Sequence, residues 1–415
     1  MSPTESRAIA GHVRPGFEAV REAFVENFAR RRELGGACTA YLHGEKAIDL
    51  WGGVRNEQTG EPWEHDTMVV VYSASKGLAA MTLALAHSRG WLDYEAPVCT
   101  YWPEFAQRGK ERITVRQLLA HQAGLFELDE PIDRRLVTDL DGLAVVLARQ
   151  KPAWEPGTRQ AYHAVTLGFY QAEILRRIDP KHRSLGQFFE DEIAGPLGLD
   201  VHIRLPEHIS NSRLATMSRP GRLEMLFGFP LRVSLDAMNR RSKLVRTLKG
   251  SELPHDEQRV YARNLEVPSG GAVGTARAIA HAYSVFATGG RELGLRQATL
   301  DLLAAPAVPP TCGFRDECLK GEVQFSLGFM KPSAAWPFGS ARSFGSPGAG
   351  GAFGFADPEA GIGYAYVTNR MGTSFTADPR DVALRKALAR TATVRLARGG
   401  WPHRLSWLRC GARSS

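Results

Sequence analysis

Ser73 and Lys76 carry the strongest chemical signal in the sequence. They begin and end the tetrapeptide Ser-Ala-Ser-Lys, which follows an apolar, β-prone run at 68–72 and opens an Ala/Leu-rich segment at 77–86. Residues three apart on a helix contact each other, and a serine at a helix N-terminus lies where a developing anion is stabilised. Serine needs a neighbouring base to act as a nucleophile, and a lysine in a dry pocket loses affinity for its proton. The spacing predicts a nucleophile at Ser73 with Lys76 as its basic partner; the alternative is an N-capping serine followed by a solvated lysine.

Tyr162 is the second candidate for proton transfer. It follows a Pro156-Gly157 turn and precedes an apolar-periodic segment at 165–177 that predicts a helix. A tyrosine at a loop-to-helix junction can face a cleft, and a cationic lysine nearby would favour its phenolate form. We therefore expect Tyr162 to act as a general base. The alternative is a half-buried tyrosine whose hydroxyl has a structural partner.

A glycine-rich segment at 344–355 is the third element with chemical potential. It is followed by an Asp-Pro turn and a strand-like run at 362–367. Glycines within a strand pattern often mark the close approach of another backbone or of a ligand. A substrate lying along such a strand can receive backbone N–H bonds, including those of an oxyanion hole. A glycine-rich hairpin without chemistry is the alternative interpretation.

The three segments, in this order, resemble the serine β-lactamase and penicillin-binding-protein superfamily, for which S-x-x-K is a signature. The chain most resembles the class C β-lactamases and the family VIII carboxylesterases. Family-like text also occurs at 91–98, 113–125, 193–200 and 274–277, and the resemblance covers roughly residues 15 to 390.

The resemblance implies a role for each matching residue. Ser73 is the acylated nucleophile, Lys76 its partner, and Tyr162 the tyrosine of a Tyr-x-Asn element. The backbone N–H groups of Ser73 and Ala349 would form the oxyanion hole. Substrate binding would involve Ser346, Gly348, Gly350 and Ala164.

Two departures from the class C pattern favour an esterase. Ala164 stands where those β-lactamases have an asparagine that holds the substrate amide, and Ser346 stands where they have a lysine that attracts the carboxylate of the drug. An anionic β-lactam would lose two contacts, whereas a neutral ester would lose little. We therefore predict a serine carboxylesterase that cleaves esters of short to medium acyl length through an acyl-enzyme. A β-lactamase or D-amino-acid peptidase, an acyltransferase and a catalytically inactive binding protein remain alternatives; no G-x-S-x-G nucleophile elbow occurs in the sequence.

Composition narrows the function classes further. The 415 residues carry a net charge of +8, but no basic, aromatic-interleaved nucleic-acid motif occurs. The five cysteines, at positions 38, 99, 312, 318 and 410, include no C-x-x-C pair, so free thiols are expected. Residues 1–14 lack an apolar signal core, and no run is long enough for a membrane span. We predict a cytoplasmic enzyme that needs no metal or organic cofactor and whose partner is a small-molecule ester. We expect neither nucleic-acid binding nor stable membrane insertion. The sequence does not determine the oligomeric state.

The order of patterns predicts an α/β (α+β) fold of the β-lactamase type, with an antiparallel sheet flanked by helices. The pattern indicates an amphipathic helix at 16–34, a β-hairpin at 36–53, strands at 322–369 and a closing helix at 379–388. One domain would combine 1–72 with 320–395. A mainly helical domain, 73–319, would be inserted between them, with helices at 139–150, 184–193 and 275–287.

Two segments are least family-like. Residues 205–265 include an apolar run at 225–231 and a basic stretch at 239–249. This insertion is either a lid or wall of the acyl pocket or an ordinary surface insertion. The basic tail at 396–415 is interpreted as a frayed terminus, with weak membrane association as the alternative.

Overall fold

The computed structural model describes residues 9–221, 236, 238–256, 258–373 and 377–398, with the backbone alone for 392–398. The described helices are α1 (Glu18–Arg30), α2 (Ser75–Ser88), α3 (Val115–Leu119), α4 (Arg134–Thr138), α5 (Leu140–Arg149), α6 (Thr166–Ile178), α7 (Leu185–Phe189), α8 (Gly195–Leu197), α9 (Lys243–Thr247), α10 (Ala276–Ala287), α11 (Gln297–Ala304) and α12 (Pro379–Arg398). The described strands are β1 (Ile9–Val13), β2 (Gly35–Leu42), β3 (Glu45–Gly53), β4 (Val69–Val70), β5 (Val201–His202), β6 (His255–Asp256), β7 (Val260–Tyr261), β8 (Val273–Gly274), β9 (Gln324–Ser326), β10 (Phe329–Lys331), β11 (Phe344–Pro347), β12 (Phe353–Asp357) and β13 (Ile362–Thr368).

An eight-stranded sheet joins the two ends of the chain. Its order is β1-β3-β2-β13-β12-β11-β10-β9, and every neighbouring pair is antiparallel. The strands come from 9–53 and 324–368, so β2 and β13 pair across more than 300 intervening positions. The predicted antiparallel sheet built from both chain ends is confirmed, whereas the proposed domain boundaries stay a prediction.

Helices cover both faces of this sheet. The apolar stripe of α1, with Val20, Phe24 and Phe28, packs together with Leu384 and Leu388 of α12 against one face. On the other face α10 packs on β13, β12 and β2. Because α10 lies within the predicted helical domain, the helical part of the chain and the sheet share one apolar core.

Helix α2 lies at the centre of the helical part. All but one of its residues, from Ser75 to Ser88, are buried. A helix that is apolar on every side needs burial on every side, and α6 and α7 pack against it together with β10 and β11. These contacts fix the N-terminal end of α2 beneath β11.

The boundaries differ from the sequence expectations at three places. The predicted strand at 68–72 is only β4, which pairs with β8 in a small sheet, because the chain turns at Tyr72 with a φ of 45°. The predicted helix at 184–193 changes to a π turn after Phe189, where the Gly195 N–H donates to the Glu190 carbonyl. The closing helix continues to Arg398 rather than ending at 388.

Some of the sequence features singled out above lie in the described part of the chain and others do not. The apolar run at 225–231, the last part of the basic tail and Cys410 lie outside the described residues. Cys38, Cys99, Cys312 and Cys318 are free, as expected. Nowhere in the described chain does a helix combine the length and hydropathy that crossing a bilayer requires.

Candidate active site

The nucleophile candidate lies in a strained turn. Ser73 is the middle residue of a 3₁₀ turn, Tyr72–Ala74, which runs directly into α2. Tyr72 has a positive φ, a conformation that costs energy in a tyrosine and that the surrounding contacts must hold. Ser75 holds it: its hydroxyl donates to the Tyr72 carbonyl and accepts from the Ala272 N–H. Helix α2 begins at Ser75, two residues after Ser73. The positive end of its dipole still points at the serine.

Lys76 makes three polar contacts around its amine. Nζ lies 3.2 Å from Ser73 Oγ, 2.6 Å from the Ala164 carbonyl oxygen and 2.9 Å from the Ser269 carbonyl oxygen. The residue is 2 % exposed, and this burial holds the pKa of Lys76 well below its usual value. A neutral amine has two N–H bonds and one lone pair. With both N–H bonds on the two carbonyls, the lone pair is left for the Ser73 hydroxyl.

Tyr162 lies beside the same hydroxyl. The Tyr162 side chain hydrogen-bonds to Ser73, and its ring centroid lies 4.8 Å from Lys76 Nζ. Burial raises the pKa of Tyr162 above its usual value, against the lowering effect of the Ser73 hydrogen bond. The expectation that the phenolate is favoured is therefore wrong. Its premise was a cationic Lys76, and the same burial that disfavours a phenolate also disfavours the charged form of the lysine.

Contacts from distant parts of the chain fix Tyr162 through its backbone. The Tyr162 carbonyl accepts from the Thr247 hydroxyl at 2.7 Å, and the same hydroxyl accepts from the Ala164 N–H at 2.9 Å. On the other side the Tyr162 backbone lies close to the buried Asp316 carboxylate, and this helps to hold down the raised pKa of Asp316. The insertion thus supplies, through Thr247 of α9, one of the groups that hold the tyrosine.

Strand β11 closes against the nucleophile turn. The hydroxyl of Ser346 donates to the Ser73 carbonyl at 2.7 Å. Just beyond the strand, Gly348 backs onto the same turn so closely that a Cβ there would lie 2.2 Å from the Val71 carbonyl oxygen. The glycine predicted to mark a close approach does so, and the approaching group is this chain's own backbone.

The two predicted oxyanion donors, the N–H groups of Ser73 and Ala349, belong to residues that line one cavity. The turn of Ala349 is held from behind, where Arg380 donates to the Gly350 carbonyl at 2.9 Å. Arg380 is itself buried and paired with Asp378. Gly348 and Gly350 are not among the described residues that line this cavity, and their role in substrate binding stays a prediction. Gly348 donates its N–H to the Ala352 carbonyl.

The cavity in front of Ser73 has a volume of about 110 Å³. Its wall is largely apolar, and Lys76 is the one lysine, arginine or carboxylate among the described lining residues. Predicted residues Ala164 and Ser346 both belong to the wall. The insertion contributes five lining residues: Leu244, Thr247, Leu248, Ser251 and Pro254.

A model of the family described as "Beta-lactamase" matches residues 20–389. The chain belongs to the β-lactamase family. Together with the Ser73–Lys76 contact, this membership makes the chain a serine hydrolase and confirms the family and fold class predicted from the sequence. The roles of the individual site residues stay predictions.

Three relatives illustrate the family around this chain. It is 32 % identical over 379 residues to "Esterase/beta-lactamase LipL" of Mycobacterium tuberculosis, covering 89 % of this chain and 85 % of LipL. The crystal structure of a family VIII carboxylesterase matches with a TM-score of 0.80 and 34 % identity, over 92 % of this chain and 100 % of that one. A penicillin-binding-protein homologue from Caulobacter crescentus matches with a TM-score of 0.78 and 32 % identity, over 92 % and 100 % of the two chains.

Within this β-lactamase-family site, sequence reasoning missed three contributors. Ser269 offers a backbone carbonyl to Lys76, which no side-chain motif announces. Thr247 lies in the insertion, far along the chain from Tyr162. His121 lines the cavity; its segment was recognised as family-like, but nothing in the sequence gave the side chain a role.

Proposed function

We propose that this chain hydrolyses neutral carboxylic esters of short to medium acyl length through an acyl-enzyme on Ser73. One observation carries the proposal: the Ser73 hydroxyl and the buried Lys76 amine lie 3.2 Å apart at an apolar cavity. A nucleophile with a base at hydrogen-bond distance is what covalent acyl transfer requires.

In the first step the Ser73 oxygen attacks the ester carbonyl carbon. Its proton passes to the lone pair of Lys76 Nζ, and the π electrons of the carbonyl move onto its oxygen. The resulting ammonium has donors for Ala164 O, Ser269 O and the serine oxygen. The N–H groups of Ser73 and Ala349 would stabilise the oxyanion at the positive end of α2.

In the second step the tetrahedral intermediate collapses. The bond from the carbonyl carbon to the alkoxy oxygen breaks, and the phenol of Tyr162 donates its proton to the departing alkoxide. The Lys76 ammonium then returns a proton to Tyr162. A raised pKa suits Tyr162 to this role, because it arrives as a proton donor rather than as a phenolate.

Water completes the cycle by attacking the acyl carbon. Its proton follows the same groups in reverse, and the Ser73 oxygen leaves with a proton as the acid is released. The scheme uses Lys76 as the base and Tyr162 as the acid in acylation. This replaces the expectation that both residues accept the Ser73 proton.

The charge of the cavity supports an ester rather than a β-lactam carboxylate. Lys76 is engaged with two carbonyls and the nucleophile, so it is not available to pair with an anion. The Ser346 hydroxyl is likewise occupied by the Ser73 carbonyl. A carboxylate entering this wall would lose its water without gaining a free cationic side chain as a partner among the described lining residues.

The test compares kcat/KM for p-nitrophenyl butanoate with kcat/KM for a chromogenic cephalosporin. We expect the ester to be preferred by at least about tenfold, the scale of one missing polar contact in a buried site. A double variant, Ser346→Lys with Ala164→Asn, should move the ratio toward the cephalosporin. A native enzyme that prefers the cephalosporin would contradict the ester proposal.

An added alcohol separates hydrolysis from acyl transfer. With hydrolysis, the free acid is the main product even when a short alcohol is present at high concentration. If the new ester is the main product under those conditions, an alcohol is the acyl acceptor. The proposed attack of water on the acyl-enzyme would then be wrong.

A further inference from the structure

His121 lies in the cavity wall between two aromatic rings. Its ring centroid is 5.1 Å from that of Tyr162 and 4.4 Å from that of Phe325, and the ring is 1 % exposed. The reaction proposed above does not use it. A buried polar ring beside the acid of the reaction needs partners, and its hydrogen bonds define what it offers to the cavity.

The neighbouring His163 has its tautomer fixed by the backbone. The Leu125 N–H donates to His163 Nε2 at 3.1 Å, so that nitrogen carries a lone pair. Burial lowers the pKa of His163 to about 3, and the ring is neutral. Its single ring proton is therefore on Nδ1.

His163 in turn fixes His121. His121 Nδ1 accepts from the His163 backbone N–H at 3.0 Å and lies 2.8 Å from the protonated Nδ1 of His163. Nδ1 of His121 is an acceptor in both contacts. Burial and the nearby His163 and Lys76 hold the pKa of His121 well below its usual value, so this ring is neutral as well. Its proton must be on Nε2.

His121 lines the cavity, and Nε2–H is the one donor of its ring. Among the described residues it makes no hydrogen bond, whereas both partners of the ring are on Nδ1. A donor is thus left facing a largely apolar wall.

We propose that His121 Nε2–H is a binding subsite for a second oxygen of the substrate, an ether, keto or hydroxyl oxygen separate from the reacting ester group. A pure hydrocarbon placed there would bury the donor without a partner, which is unfavourable, whereas an oxygen would satisfy it. The inference rests on the proposed ester hydrolysis and narrows its substrate class to oxygen-bearing esters.

Two substitutions separate the two nitrogens of His121. His121→Asn keeps a group near Nδ1 but does not reach the cavity, and asparagine tolerates the positive φ of 61° at this position. His121→Gln places an amide N–H near the former Nε2 and restores a donor. The pair therefore tests the cavity donor apart from the contact with His163.

Isosteric ester pairs report on the subsite. The acyl arm compares p-nitrophenyl pentanoate with p-nitrophenyl 3-methoxypropanoate, and the alcohol arm compares butyl butanoate with 2-methoxyethyl butanoate. For each enzyme the preference is kcat/KM for the oxygen-bearing ester divided by kcat/KM for its hydrocarbon counterpart. The preference of the native enzyme is then divided by the preference of His121→Asn. Intrinsic reactivity cancels in this ratio because each enzyme receives the same two esters.

We expect a ratio of at least about tenfold in one arm, with His121→Gln close to the native enzyme. The arm that responds identifies whether the oxygen belongs to the acyl or the alcohol part. A ratio near one in both arms overturns the inference, as does an equal loss for both members of each pair in His121→Asn.

A binding measurement keeps this result separate from the proposed function. Calorimetry of butyl and 2-methoxyethyl butanoate on Ser73→Ala, with and without His121→Asn, needs no turnover. If the native enzyme fails to hydrolyse any ester, the proposed function fails, and a preference for the methoxy ester that depends on His121 still supports the subsite. Equal binding of both esters in both proteins overturns it.

Discussion

The hydroxyl of Ser346 donates a hydrogen bond to the carbonyl oxygen of Ser73, 2.7 Å away. At the position where class C β-lactamases carry a cationic lysine, this chain thus has a short side chain that braces the nucleophile turn. The contact ties β11 to the strained turn before α2.

Replacing Ser346 by alanine should therefore weaken the fold near the nucleophile. Loss of one neutral hydrogen bond costs about 1 kcal/mol in the free energy of unfolding, and kcat should fall because the turn is less well held. The matched control is Ser343→Ala, since the Ser343 hydroxyl is buried without a partner among the described residues. Denaturant midpoints and kcat of both variants are compared; equal effects would show that the brace contributes nothing.

The pH dependence of kcat/KM should report the Lys76 amine. Only the neutral amine accepts the Ser73 proton, so kcat/KM falls as the pH drops through the pKa of Lys76 in the free enzyme. Because burial lowers that pKa, the plateau should be reached well below the ordinary lysine value of about 10.4. The guanidinium of Lys76→Arg stays charged across this pH range. In this variant kcat/KM should therefore not rise with pH as it does in the native enzyme. An acid limb that persists in the residual activity of Lys76→Met would assign it to another group.

Lys76 should also make folding stability depend on pH. Between its lowered pKa in the folded chain and its ordinary pKa in the unfolded chain, the unfolded state binds one more proton. The free energy of unfolding contributed by this residue therefore rises with pH in that window. Chemical denaturation of native protein and Lys76→Met at several pH values measures the difference, which should grow more favourable to the native protein as pH increases. A difference that is constant with pH would mean that the buried amine stays protonated.

Lys76 and Tyr162 should act as one unit. Lys76→Met and Tyr162→Phe are each expected to lower kcat by at least about a hundredfold. The double variant should lose much less than the product, because both residues serve the same proton path. The control is Tyr170→Phe, which should retain activity. Tyr170 is a buried tyrosine on α6 whose hydroxyl contacts the Leu147 carbonyl. Multiplicative losses would argue for independent roles.

Gly348 should tolerate no side chain. In Gly348→Ala the added Cβ would lie 2.2 Å from the Val71 carbonyl oxygen, so the strand and the nucleophile turn must separate. Misplacement of this kind costs about a hundredfold in kcat/KM. Gly321→Ala is the matched control, because a Cβ there meets open space. Comparable activity of the two variants would contradict the close approach.

The sequence predicted those parts of the site that local spacing encodes. Ser73 and Lys76 are three apart across the 3₁₀ turn that runs into α2, and their contact follows from helical spacing. Tyr162 lies far along the chain, and its place beside Ser73 was available only from the resemblance to a family. The antiparallel sheet was foreseeable because strand patterns occupy both ends of the chain.

The protonation states could not be predicted from residue types. They depend on burial, and the burial of Lys76 and Tyr162 is decided by elements from several distant segments. The Ser269 carbonyl and the tautomer of His121 are equally hidden, because backbone acceptors leave no mark in the sequence. The expected phenolate at Tyr162 failed for this reason: it assumed the charge of a lysine whose surroundings were not yet known.

The central claim, an acyl-enzyme on Ser73, is tested most directly by mass spectrometry of the quenched enzyme during turnover of p-nitrophenyl butanoate. We predict a mass increase of one butanoyl group, located on the peptide that contains Ser73. The adduct should be absent in Ser73→Ala. It should be retained in Ser75→Ala, where the loss of the Ser75 contact to the Ala272 N–H lowers the unfolding midpoint instead. An adduct on another residue, or undiminished hydrolysis by folded Ser73→Ala, would contradict the account.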